Sequence, residues 1–116
     1  MIVREMCEQL SLDCLTVAED GLFLQEITGG IVSDLLSNVM GQAKAGAVWI
    51  TMQSHQNIVA VASLADLAAV IVAGGATVEQ GTRQKAEQEK VLLFTTALTA
   101  YEVAGRLYQL GIKSNA

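Results

Sequence analysis

Apolar residues along the chain fall into two alternating kinds of run. Three are short and almost uninterrupted, AVWITM at 47–52, LAAVIVA at 67–73 and VLLFT at 91–95, and GGIVSD at 29–34 holds a further short strand opened by two glycines. Runs of this length without polar alternation mark strands covered on both faces, as in a parallel sheet. A fifth strand, LDCLTV at 12–17, is read from its β-branched residues, and AEDG at 18–21 from its turn chemistry. Between the strands the apolar spacing changes to three and four. Val3, Met6, Cys7 and Leu10 make a helix of 2–10, residues 35–41 a short helix closed by Gly41, and Ile58, Val61, Ala62 and Ala65 one face of a helix over 55–64. The polar segment 78–89 reads as a solvated helix, with Thr77 and Gln80 at capping-box spacing and Glu79 and Arg83 at i, i+4. A last helix at 99–110 opens on Thr99 and Glu102, turns Ala100, Val103, Ala104, Leu107 and Leu110 inward and stops at Gly111.

Strand and helix alternate with short connections. This predicts an α/β fold, three-layer α/β/α, with a parallel or mostly parallel sheet of about five strands, formed by residues 1–116 as a single domain. Composition agrees. The chain has 116 residues, 52% of them hydrophobic but only 4% aromatic, so Ala, Val, Leu and Ile must fill the core. Proline is absent, and glycine carries the stops. The two cysteines, Cys7 and Cys14, are too few for a disulfide scaffold and read as free, mostly buried thiols of a reducing compartment.

Charge and hydropathy narrow the function. The net charge is −5 with scattered basic residues, which leaves no footprint for nucleic acid. The most apolar segment, residues 58–73, is shorter than the roughly 20 residues of a membrane span and contains Ser63 and Asp66. The N-terminus carries Glu5 and Glu8 and lacks the apolar core of a signal peptide. The expectation is a cytoplasmic protein that contacts neither membrane nor nucleic acid. One histidine and two cysteines do not suffice for a metal centre, and no cofactor or metal is expected.

Ligands of open α/β sheets sit beyond the carboxyl ends of the strands. The strands are followed by Ser33-Asp34, Gln53-Ser54-His55, Gly74-Gly75 and Thr95-Thr96, all small or polar. A rim of this kind can hold a phosphate or carboxylate, and it equally supplies the polar caps that any α/β fold needs. His55 is the only histidine; Asp34 is the carboxylate that could orient it. GQAKAG at 41–46 has the glycine spacing of a P-loop, but Ala47 and Val48 stand where Lys and Ser/Thr are required, so the motif fails. No GxGxxG is present. Trp49 reads as core with its N–H bonded. Tyr101 and Tyr108, seven apart on the last helix, share a face off the main apolar stripe and are candidates for an interface.

ITGGIVSDLLSNVM at 27–40, AVWITMQSHQNIVAVASLADLAAVIVAGG at 47–75 and LLFTTALTAYEVAGRLYQLG at 92–111 together resemble the DRTGG domain family over nearly the whole chain. Thr28-Gly29-Gly30 matches the end of the naming motif, and Glu26 and Ile27 replace its Asp-Arg. The family is similar in fold to the N-terminal domain of HPr kinase/phosphorylase, and its members also occur beside CBS domains in some pyrophosphatases. The resemblance implies an accessory regulatory module that associates as a homodimer, without kinase activity.

The resulting expectation is a non-catalytic regulatory or interaction module in a signalling or metabolic-regulation complex, homodimeric, with a protein partner. Its interface would expose apolar surface near Tyr101 and Tyr108 or along 58–65. The alternative is a sensor of an anionic metabolite or nucleotide using Thr28, Gly29, Gly30, Ser54, His55, Asn57 and Thr95. No catalytic residue is assigned.

Overall fold

A computed structural model describes residues 1–114. The elements follow in the order α1 (Val3–Leu10), β1 (Asp13–Cys14), α2 (Asp20–Phe23), β2 (Gly29–Val32), α3 (Leu36–Gln42), β3 (Ala47–Thr51), α4 (Asn57–Leu64), β4 (Ala69–Val72), α5 (Gln80–Gln88), β5 (Leu93–Thr95) and α6 (Ala100–Gln109). The five strands form one sheet in the order β1-β5-β4-β3-β2. β2, β3, β4 and β5 are parallel, with Gly29 opposite Ala47, Val48 opposite Ala69 and Val70 opposite Leu93. Only β1 runs antiparallel, pairing Asp13 with Thr95 and Cys14 with Phe94. The expected α/β architecture and mostly parallel sheet are present.

The apolar strand runs are explained by two cores, one on each face. Val48, Ile50, Ala69, Ile71 and Phe94 pack with Val3, Met6 and Leu10 of α1 and Val103 and Leu107 of α6. The alternate residues Ala47, Trp49, Val70, Val72 and Leu93 pack with Val39 of α3, Ile58, Val59, Val61 and Ala62 of α4 and Ala86 of α5. The inner strands β3 and β4 therefore bury both of their side-chain rows, which is why periodicity of two is lost from their sequence, whereas the edge strands β1 and β2 stay partly or wholly exposed.

Several local expectations are corrected. The strand foreseen at 12–17 shrinks to Asp13–Cys14. Thr16 is buried, and its side-chain oxygen accepts the Leu93 N–H at 3.3 Å, so a side chain takes over from the backbone ladder. The turn at 18–21 instead leads into the helical turn α2, which begins at Asp20. Gly41 lies inside α3, which runs on to Gln42. α5 is entered at Glu79, not Thr77, and no ion pair joins Glu79 to Arg83; Lys85 and Glu89 pair instead, at 3.3 Å. That helix is less solvated than its composition suggests, because Thr82 and Ala86 are fully buried. Thr99 caps α6 as foreseen, accepting the Glu102 N–H, whereas the Glu102 carboxylate turns to Arg106 at 3.2 Å. Leu110 ends α6 and is 37% exposed, so it does not face the core. Cys14 is exposed and Cys7 half-buried, where two mostly buried thiols were expected; β1 is an edge strand of the sheet.

β2 forms the other edge. Its outer side is partly closed by the segment after α6, where Gly30 N–H donates to Lys113 O at 2.9 Å and Gly30 bridges Ser114 in parallel. Covering an edge in this way satisfies backbone groups that would otherwise invite a foreign strand.

Candidate functional site

At the carboxyl end of the sheet the loops after β2 and β3 are tied together by Asp34. Its Oδ1 accepts the Thr51 hydroxyl at 2.8 Å and the Met52 N–H at 2.8 Å. The Gln53 amide reaches its backbone oxygen at 3.4 Å. One residue earlier, Ser33 O accepts the Trp49 indole N–H at 2.8 Å, and Ser33 Oγ accepts from Leu35 N–H and the Asn38 amide. Asp34 is thus a structural acceptor for a hydroxyl that is almost fully buried. Replacing Asp34 by alanine strands the Thr51 hydroxyl and is expected to cost about 1–3 kcal/mol of stability. Asparagine, which keeps an acceptor oxygen, should cost less. Urea unfolding of the two variants checks this, and equal losses would show that the oxygen acceptor is immaterial.

His55 stands apart from this network. It is exposed, and its Nδ1 accepts the Asn57 N–H at 3.3 Å while its carbonyl accepts Ile58 N–H. It therefore fastens the turn that leads into α4, just before the N-cap residue Gln56. Among the described residues no hydrogen bond or ion pair links it to Asp34 or any other carboxylate. Ser54, half-buried, offers its carbonyl to the buried Thr82 hydroxyl at 2.8 Å, which fastens the β3–α4 loop to α5. Asn57 is exposed at the helix start, and Thr95 is the half-buried last residue of β5.

The seven rim candidates do not form one group. Ser54, His55, Asn57 and Thr95 follow or end strands at the carboxyl edge. Thr28, Gly29 and Gly30 lie at the opposite, amino end, because Gly29 and Gly30 begin β2 in register with Ala47 and Val48. Residues that enter a parallel strand sit at the opposite end of the sheet from residues that leave it, so strand direction alone carried the signal. Thr28 is engaged locally: its N–H donates to Gly46 O at 3.0 Å and its hydroxyl to Ala45 O at 2.8 Å.

The carboxyl edge does carry a cleft that the sequence did not reveal. About 460 Å³ of space lies beyond β5, lined by Leu10, Ser11, Asp13, Thr96, Leu98 and Arg106. It assembles from α1, β1, the β5–α6 loop and α6, elements that only the fold brings together. A second apolar groove of about 100 Å³ runs between the β2 edge and α6, with Val32, Ile50, Ala104, Leu107, Tyr108 and Ile112 along it. Tyr101 is 88% exposed and Tyr108 59%; the Lys113 ammonium sits 3.8 Å from the centre of the Tyr108 ring. Along residues 58–65, Ile58, Val59, Val61 and Ala62 are buried, and Leu64 is the large apolar side chain left exposed, at 75%. Among the described residues no group of three His, Cys, Asp or Glu side chains is placed to hold a metal ion, and no helix is long and apolar enough to cross a membrane.

No family model matches the sequence, and no curated protein matches it. Among solved structures, the CBS and DRTGG domains of the regulatory region of Clostridium perfringens pyrophosphatase, complexed with the activator diadenosine tetraphosphate, superimpose with a TM-score of 0.74 at 14% identity. The match covers 98% of this chain and 51% of that one. The fold is DRTGG-like. In this DRTGG-like fold the Thr28-Gly29-Gly30 stretch is a strand entry clamped to the Ala45–Gly46 turn, and the polar residues after the strands chiefly bind neighbouring loops.

Proposed function

We propose that the chain is a non-catalytic regulatory module, a single unit spanning residues 1–116, that acts in the cytoplasm as a homodimer within a signalling or metabolic-regulation complex. The observation that carries this reading is the apolar face at the β2 edge. Val32, 51% exposed, and Tyr108 line one groove, and Tyr101 lies two helical turns before Tyr108 on the same side of α6. The commitments of Asp34 and His55 to local structure support it, as does the regulatory character of the Clostridium perfringens neighbour.

A second reading is favoured by the cleft beyond β5. It has the volume of a small-molecule site, and Arg106 on its wall suits an anionic ligand. The activator of the Clostridium perfringens region, diadenosine tetraphosphate, is a polyanion of this kind. Thr95 adjoins this cleft through Thr96, while Ser54, His55 and Asn57 follow β3, two strands away, and remain rim candidates of such a sensor.

Native mass spectrometry of the full chain separates the two. The dimeric module predicts twice the chain mass, lost when Val32→Asp places a charge on the apolar face while the far-UV spectrum is retained. A monomer at all concentrations would overturn the dimer. Adding diadenosine tetraphosphate tests the sensor: a discrete adduct that disappears in Arg106→Ala favours it, and no adduct at millimolar ligand rejects it.

A further inference from the structure

Cys7 and Cys14 lie on one corner of the molecule, where the chain reverses between α1 and β1. Ser11 takes a left-handed conformation with φ 51°, and Leu12 N–H donates back to Cys7 O at 3.0 Å. The Cys7 thiol in turn donates to Leu12 O at 3.5 Å. Cys14 is two residues farther along an extended segment, so its side chain leaves on the same side as that of Leu12. That side is the one α1 covers. Leu12 belongs to the core formed with Val3, Met6 and Leu10, Cys7 packs against the same core, and Phe94, the register partner of Cys14, is part of it. The Cys14 thiol donates to Thr16 O at 3.2 Å. Both sulfur atoms are thus held by the backbone of one short segment, on one face of the sheet edge. The two thiols differ in access: Cys14 is exposed and Cys7 half-buried. Burial, followed by the proximity of Cys14, Glu8 and Asp13, pushes the Cys7 thiol up, which keeps it protonated while Cys14 meets solvent.

We propose that Cys7 and Cys14 form a dithiol modification site that a small hydroperoxide closes into an intramolecular disulfide. The Cys14 thiolate attacks one peroxide oxygen. The O–O bond breaks, the leaving alkoxide or hydroxide takes up a proton, and Cys14 is left as a sulfenic acid. Cys7 gives up its proton and attacks Cys14 Sγ. The S–O bond breaks, and the departing hydroxide leaves as water with that proton. Two thiols and one hydroperoxide become one disulfide, one alcohol (water, when the oxidant is hydrogen peroxide) and one further water; the thiols lose two electrons and the peroxide gains them. The new bond staples the last turns of α1 to the edge strand β1.

The test treats the full folded chain with one equivalent of hydrogen peroxide and follows the intact mass. The site predicts a loss of about 2 Da in a single chain, reversed by dithiothreitol. Cleavage after Glu8 should leave the Cys7 and Cys14 peptides joined. In Cys7→Ser the same treatment should instead add about 16 Da at Cys14, and a second equivalent of peroxide should bring the gain to about 32 Da. The proposal is overturned if the wild-type chain gains oxygen at Cys14 as fast as Cys7→Ser does without losing mass. It is equally overturned if the product is two chains joined through Cys14.

Discussion

Replacing Trp49 by alanine is expected to lower the unfolding free energy by about 3–5 kcal/mol, the range found for removing a large aromatic side chain from a packed core. Trp49 is wholly buried on the central part of β3, between β2 and β4. It is among the largest fully buried side chains of a molecule with very few aromatics, so no other ring is at hand to refill the space. Its indole N–H also holds Ser33 O at 2.8 Å, beside the Asp34 loop. The loss therefore has a cavity part and a hydrogen-bond part, which Trp49→Phe separates. Phenylalanine keeps much of the ring volume but leaves Ser33 O without its donor, and should cost about 1–3 kcal/mol. Trp49 is the chain's only tryptophan, so the unfolding must be followed by far-UV circular dichroism in urea. An alanine variant within about 1 kcal/mol of the parent would mean that the site collapses without penalty, contrary to tight packing.

Gly46→Ala is the second large effect, expected at roughly 2–4 kcal/mol. Gly46 adopts φ +83°, a conformation that L-residues avoid. A Cβ there would stand 2.7 Å from Thr28 Cγ2 and 3.0 Å from Thr28 Oγ1. Thr28 cannot easily step aside, because its N–H and hydroxyl are both bonded to this turn. Gly75→Ala is the matched control. Its φ is +70° with nothing within 4 Å of an added Cβ, so it should show only the backbone cost, about 1 kcal/mol. Adding Thr28→Ser to Gly46→Ala removes the clashing methyl and should recover part of the loss in a double-mutant cycle. Equal costs at Gly46 and Gly75, with no recovery, would show that the Thr28 contact carries no energy. The outcome bears on the Thr-Gly-Gly stretch itself: in this chain its threonine acts as the lock of a turn.

The architecture was readable from the chain because its cause is local. AVWI and AAVIVA have no polar alternation, which suits only strands with both faces covered, and β3 and β4 are buried along their entire length. The stripes of α1 and α6 likewise named Val3, Met6, Leu10, Val103 and Leu107 as core. Absence of the P-loop lysine was a matter of reading residues. The short elements were less legible. β1 has two residues and α2 four, too few for any period to show, and Thr16 ends the β1 pairing through a contact with Leu93, far along the chain.

What the sequence determined by itself was the succession of strands and helices, the faces they bury and the polar character of the loops, since each depends on spacing within a dozen residues. The tertiary structure alone decided which loops meet. It gave Asp34 to Thr51 and Met52 and left His55 to the turn before α4. It built the cleft beyond β5 from Ser11, Asp13, Thr96 and Arg106, and it set Val32 beside Tyr108. Those pairings depend on strand order and crossover direction, which are fixed by how all the apolar faces are buried together. No local window of residues contains that sum.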